Sequence, residues 1–138
     1  MTQNTPDEMI SEVGYLTVRV STAGGAIPLE GVAVNVRGGN VDESDIIYAL
    51  VTNSDGLTPT VSLATPPRSA STSPQNSVPP YAVYNVDVYA EGYAPAFFHN
   101  VPVFSGINSV QPAVLLPNIE NGKVTPEQHV TETGGEIE

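Results

Sequence analysis

The sequence predicts an all-β protein, a seven-stranded Greek-key β-sandwich built as one domain. Three observations carry this. Short segments alternate apolar and polar residues with a period of two, as strands with one buried face do. Turn residues punctuate them roughly every 8–12 residues, the spacing of a sandwich. Thirteen Pro and twelve Gly in 138 residues leave little room for long helices, while Val, Thr and Tyr favour strands.

The segments follow in order. Residues 1–12 are polar and read as a flexible or docking arm, ahead of a sandwich over 13–118. In Tyr15–Val20, Leu16, Val18 and Val20 share one face, opposite Thr17 and Arg19. Ala23-Gly24-Gly25-Ala26 is a turn. Val32, Val34 and Val36 then alternate with Ala33, Asn35 and Arg37, and Gly38-Gly39-Asn40 ends the strand. Ile46–Thr52 is apolar on both faces and is expected at the centre of a sheet. In Asn53-Ser54-Asp55-Gly56, side chains that bond the local backbone precede a Gly free to take positive φ, which marks a turn. Thr60–Leu63 is a short strand, and the Pro- and Ser-rich stretch 64–80 is a long extended connection. In Tyr81–Ala90, Tyr84, Val86 and Val88 face one way, and Asn85, Asp87 and Tyr89 the other. Phe97–Phe104 is extended, with an interruption at Pro102. Asn108–Leu116 is the last strand, and its Pro112 predicts an edge or a bulge. From residue 119 to 138 few large apolar residues remain and Glu recurs, so this stretch reads as an acidic tail.

Composition excludes several function classes. The net charge is -11, and the basic residues are Arg19, Arg37, Arg68 and Lys123, scattered along the chain. Nucleic-acid binding needs clustered cations to replace phosphate counterions, so no nucleic-acid partner is expected. Anionic membranes are disfavoured for the same reason, and no apolar run approaches a bilayer span. There is no Cys, hence no disulfide and no thiolate nucleophile. The N-terminus has neither the basic nor the apolar region of a conventional signal peptide, which leads to an expectation of cytoplasmic synthesis.

Catalytic groups are sparse. Only His99 and His129 are present, and their sequence separation argues against a shared site. Neither a nitrogen–sulfur metal site nor a complete calcium loop is evident, although Asp42, Glu43 and Asp45 cluster and Asp55 sits in a turn. Asp87 and Glu91 straddle a turn, unlike carboxylates facing across a cleft. No catalytic residue, metal or other cofactor is therefore expected, and the chain is expected not to be an enzyme.

Four ordered motifs resemble carboxypeptidase regulatory-like domains, which belong with the transthyretin-like and collagen-binding B-type sandwiches, of transthyretin-like or immunoglobulin-like fold. They are Gly14-Tyr15-Leu16-Thr17-Val18-Arg19-Val20, Pro28-Leu29-Glu30-Gly31-Val32-Ala33-Val34, Thr52-Asn53-Ser54-Asp55-Gly56 and Val88-Tyr89-Ala90-Glu91-Gly92-Tyr93. Ser62-Leu63-Ala64-Thr65-Pro66-Pro67, Pro79-Pro80-Tyr81-Ala82-Val83-Tyr84 and Val101-Pro102-Val103-Phe104, with Gln111 and Leu115-Leu116-Pro117, are also similar to the N-terminal pre-pro region of clostridial spore cortex-lytic enzymes. Departures matter. The Tyr-Arg-Gly-Ser ending of the transthyretin-like hydrolases is missing. The Lys that makes isopeptide bonds in related pilin domains is replaced in its region by Arg19. The two His read as too far apart for the iron site of dioxygenases with similar topology.

The resemblance implies a non-catalytic structural or interaction module of a spore-forming bacterium, placed at the spore or cell surface. Its expected partner is another copy of itself or a spore or cell-wall component. The contrasting expectation is a carbohydrate- or peptidoglycan-binding accessory domain that uses exposed tyrosines. For self-assembly the candidate interaction residues are Met9, Ile10 and Val13, in an arm short enough to add as a strand to a neighbour.

Overall fold

A computed structural model describes residues 12–38, 45–66 and 81–132. Two sheets face each other across one apolar core. The first is built on β1 (Glu12–Thr22). One side of β1 pairs antiparallel with β5 (Val61–Thr65) and, further along, with the two-residue β2 (Ile27–Pro28). The other side pairs in parallel with β8 (Asn108–Val114). Between β1 and β2 the chain turns through a short 3-10 segment, Ala23–Gly25.

The second sheet has the order β11-β7-β6-β3-β4. Its members are β3 (Ala33–Gly38), β4 (Ile46–Val51), β6 (Tyr81–Tyr89), β7 (Ala96–Phe104) and β11 (Gln128–Thr131). A small hairpin, β9 (Ile119–Glu120) and β10 (Lys123–Val124), precedes β11. All seven strands read from the sequence are present. The chain leaves the second sheet for β5 and returns for β6, which makes β3 and β6 neighbours although they are not consecutive.

The core is the set of positions that the two-residue period selects. Leu16, Val18, Val20, Val34, Val36, Tyr84, Val86 and Val88 all point inward and are buried. Val101, Val103 and Leu115 complete the layer between the sheets. The Tyr84 phenol donates to the Ala64 carbonyl at 2.5 Å, and burial pushes its pKa up, because the ionised form is the one burial penalises.

Three expectations need correction. Ile46–Thr52 was expected at a sheet centre, but among the described residues β4 is the last strand of its sheet and pairs with β3 alone. A strand apolar on both faces fits a buried centre and an unshielded edge equally well by pattern. The interruption expected at Pro102 does not occur, since β7 runs unbroken from Ala96 to Phe104. Pro102 lies beyond Ala96–His99, the part of β7 that β11 covers, so one flank there needs no proline N–H. Pro112, by contrast, lies on an edge strand as expected.

The third correction concerns the segment read as an acidic tail over 119–138. Up to Glu132 it is folded, and Gln128–Thr131 extends the second sheet by pairing in parallel with Ala96–His99. The Glu132 N–H continues this ladder to the His99 carbonyl at 2.8 Å. The side chains of this strand stay largely exposed and its backbone bonds to β7 hold it, so polar composition does not argue against it. Deleting residues 119–138 is therefore expected to lower stability by about 2–4 kcal/mol through lost ladder bonds and the uncovering of Phe98. Urea melts of the full and shortened chains check this, and equal midpoints would return the segment to the status of a tail.

Candidate functional site: the sheet edges

The outer face of the second sheet gathers the polar chemistry. Cross-strand register sets Asn35, Asp87, Phe97 and His129 in one row across β3, β6, β7 and β11. Asp87 is 5% exposed, and its carboxylate accepts from Arg37 Nε at 2.5 Å. That hydrogen bond first, and the Asp87 charge second, raise the Arg37 pKa above its already high ordinary value. Asp87 is thus held in an ion pair between β3 and β6.

His99 and His129, read as too far apart to cooperate, are brought together by the parallel pairing of β7 and β11. His99 Nε2 and His129 Nδ1 are 3.2 Å apart, and His129 Nε2 lies 2.8 Å from Glu127 Oε2. The ring planes differ by 5° with centres 5.4 Å apart. With so short a nitrogen–nitrogen separation, the rings meet end to end. Glu127 favours the His129 tautomer that donates from Nε2 and accepts at Nδ1, so His99 Nε2 supplies the intervening proton. The nitrogens point at one another, not at a common point beside them. Among the described residues, no group of three or more His, Asp or Glu side chains is placed to hold a metal ion.

The rings of this face cover one another. Phe97 stacks on His129 at 4.9 Å between centres and meets Tyr89 edge to face at 5.8 Å. A flat sugar-binding platform needs open ring faces. Tyr89, which is exposed beside this row, is the residue of this face placed to offer one.

The acidic and turn residues weighed for calcium separate in the same way. Asn53 Oδ1 accepts from the Asp55 and Leu57 N–H groups, the pattern of a turn closed by its own side chain. Asp42 and Glu43 lie outside the described residues, as do Met9 and Ile10. Val13 is described, and it is already inside β1. It is opposite Ala64 of β5, and its carbonyl accepts from Gly106 N–H at 2.8 Å. It belongs to the sandwich and is not part of a free arm.

The strand edges differ in how they are protected. Natural sheets blunt an edge with proline, short length or bonds to its free backbone groups. β8 carries Pro112, and the uncovered half of β7 carries Pro102. β11 has four residues. On β5, the Ser62 carbonyl accepts from the Tyr48 hydroxyl at 2.9 Å, and the Ala64 carbonyl accepts from Tyr84. Among the described residues β4 has none of these, only a register shift against β3, where Val36 faces Tyr48 and Arg37 faces Ile46. Its sequence, Ile46-Ile47-Tyr48-Ala49-Leu50-Val51, has no proline and no charge. Ile46, Ile47 and Val51 are 49%, 46% and 60% exposed. Sequence reasoning missed this edge by assigning the strand to a sheet centre. The absence of Pro and charge from a segment apolar on both faces was the available signal.

No protein-family model matches the chain, and no curated protein matches it in sequence. Solved structures do share the fold. The minor pilin GBS52 of Streptococcus agalactiae matches with a TM-score of 0.50 and 15% identity, over 84% of this chain and 49% of the pilin. Catechol 1,2-dioxygenase of Acinetobacter radioresistens matches with a TM-score of 0.53 and 11% identity, over 93% of this chain and 60% of the enzyme. The Bacillus anthracis TIE protein gives a TM-score of 0.46 and 17% identity, over 77% of this chain and 17% of that one. The chain thus spans less than two thirds of each of these structures. At such identities the likeness is one of fold, a β-sandwich domain.

Proposed function

We propose that this chain is a non-catalytic structural or interaction module that assembles with further copies of itself through a sheet edge. The observation that carries this is β4, an exposed apolar strand with one side of its backbone unpaired among the described strands. An edge of this kind is a template for another strand. The resemblance to carboxypeptidase regulatory-like domains and to spore cortex-lytic pre-pro regions adds a setting, the spore or cell surface of a spore-forming bacterium. The sandwich shared with a minor pilin is compatible with that setting.

Light scattering on the purified chain tests the reading, at high concentration and across ionic strength. A net charge of -11 repels copies at low salt, so the associated fraction is expected to rise as salt screens that charge. A monomer under all conditions overturns the proposal. A second reading, a carbohydrate- or peptidoglycan-binding accessory domain, rests on exposed Tyr89 beside Phe97. Co-sedimentation with insoluble peptidoglycan, lost in Tyr89→Ala, would favour it over self-assembly.

A further inference from the structure

We infer that two copies of this chain join β4 to β4 in antiparallel register about Ala49, fusing their five-stranded sheets into one continuous sheet. The inference rests on the self-assembly reading and adds to it the joint, the direction and the register.

The direction of the backbone groups fixes which residues make the joint. Thr52 N–H bonds inward, to the Val32 carbonyl beside β3, at 3.1 Å. Backbone groups alternate in direction along a strand, so Leu50 shares that direction, while Val51 and Ala49 turn their N–H and C=O groups to the free edge. Val51 lies opposite Ala33 and Ala49 opposite Asn35, which places both side chains on the outer face. Pairing about Ala49 sets each Ala49 against its counterpart and Ile47 against Val51 of the second copy. The contacts are then small or β-branched apolar groups, which suit cross-strand neighbours.

Charge selects the partner and the orientation. Ile46–Val51 is uncharged in a chain of net charge -11, so close approach here brings no like charges into the joint itself. Asp45 stands just before the strand. A parallel pair would place the two Asp45 residues side by side, whereas the antiparallel pair sets them at opposite ends of the joint. The arm residues ahead of β1 are a poorer occupant, because Asp7 and Glu8 would lie along an edge that already begins at Asp45. An antiparallel joint between identical strands is also self-complementary, so it closes as a two-fold dimer.

The decisive variant is Ala49→Pro. Its lost N–H faces the free edge, so the ladder to β3 keeps its bonds, while the joint loses a donor and meets the proline ring. Val51→Lys is the companion, a charge on a residue already 60% exposed. Sedimentation velocity in physiological salt is expected to show a dimer for the wild type and a monomer for both variants. Melting temperatures should stay within a few degrees of the wild-type value extrapolated to low concentration. If Ala49→Pro fails to fold, Val51→Lys alone decides. An assembly that persists in folded variants overturns the β4 joint and leaves self-assembly standing. A wild-type monomer at every concentration and salt overturns both.

Discussion

Val86→Asp is expected to leave the chain unfolded at room temperature. Val86 is 0% exposed at the middle of β6, opposite Val36 on one side and Phe98 on the other. Removing the valine forfeits about 1.5–3 kcal/mol of apolar burial. An unpaired carboxylate in its place adds several kcal/mol more, or must take up a proton to stay inside. Asp87 is no precedent for tolerance, since it lies on the other face and is held by Arg37. A domain of this size has roughly 5–15 kcal/mol of total stability, so the substitution consumes most of it. Circular dichroism and a urea melt check the outcome. A variant with wild-type melting would mean that Val86 does not face the core and that the register of β6 is wrong.

The same register shows what the sequence could reveal. The strands that carry the core announce themselves, because a buried face imposes a period of two on Leu16, Val18 and Val20 and on Tyr84, Val86 and Val88. β11 gives no such signal. Gln128–Thr131 is held mainly by backbone bonds to β7, and its side chains stay largely in water. The His99–His129 contact, across 30 positions, follows from that pairing and was hidden with it. The place of β4 was hidden for the opposite reason. Its two apolar faces carry the signal of a strand, but order within a sheet depends on which strands pair, and local periodicity holds no information on that. The candidate edge therefore became visible only once the strand order was known, and its contrast with β5 only once Tyr48 and Tyr84 were seen to occupy the β5 carbonyls.

Gly14→Val is the second substitution expected to be severe, and the reason is close packing of backbone rather than burial of a side chain. Gly14 occupies an inward position of β1, where the end of β7 crosses it. A Cβ at this position would lie 2.7 Å from Val103 Cγ1 and closer still to the Phe104 carbonyl oxygen. The valine side chain could turn aside, but a backbone carbonyl cannot give way without moving its strand. The strand is pinned on both flanks of the glycine. Gly106 N–H bonds to the Val13 carbonyl at 2.8 Å, and Tyr15 N–H to the Ile107 carbonyl at 2.9 Å. Relief of the overlap must break these bonds or lift β7 from the core, where Val101 and Val103 are fully buried. Overpacking alone costs about 1–3 kcal/mol, and the lost bonds raise the total above ~3 kcal/mol. Gly14→Ala already introduces the offending atom, so it is expected to fall between the wild type and Gly14→Val. Thermal melts of the two variants provide the check. A melting temperature within ~2 °C of wild type for both would show that β1 and β7 do not approach this closely, and would undo the account of how the two sheets are joined at this corner.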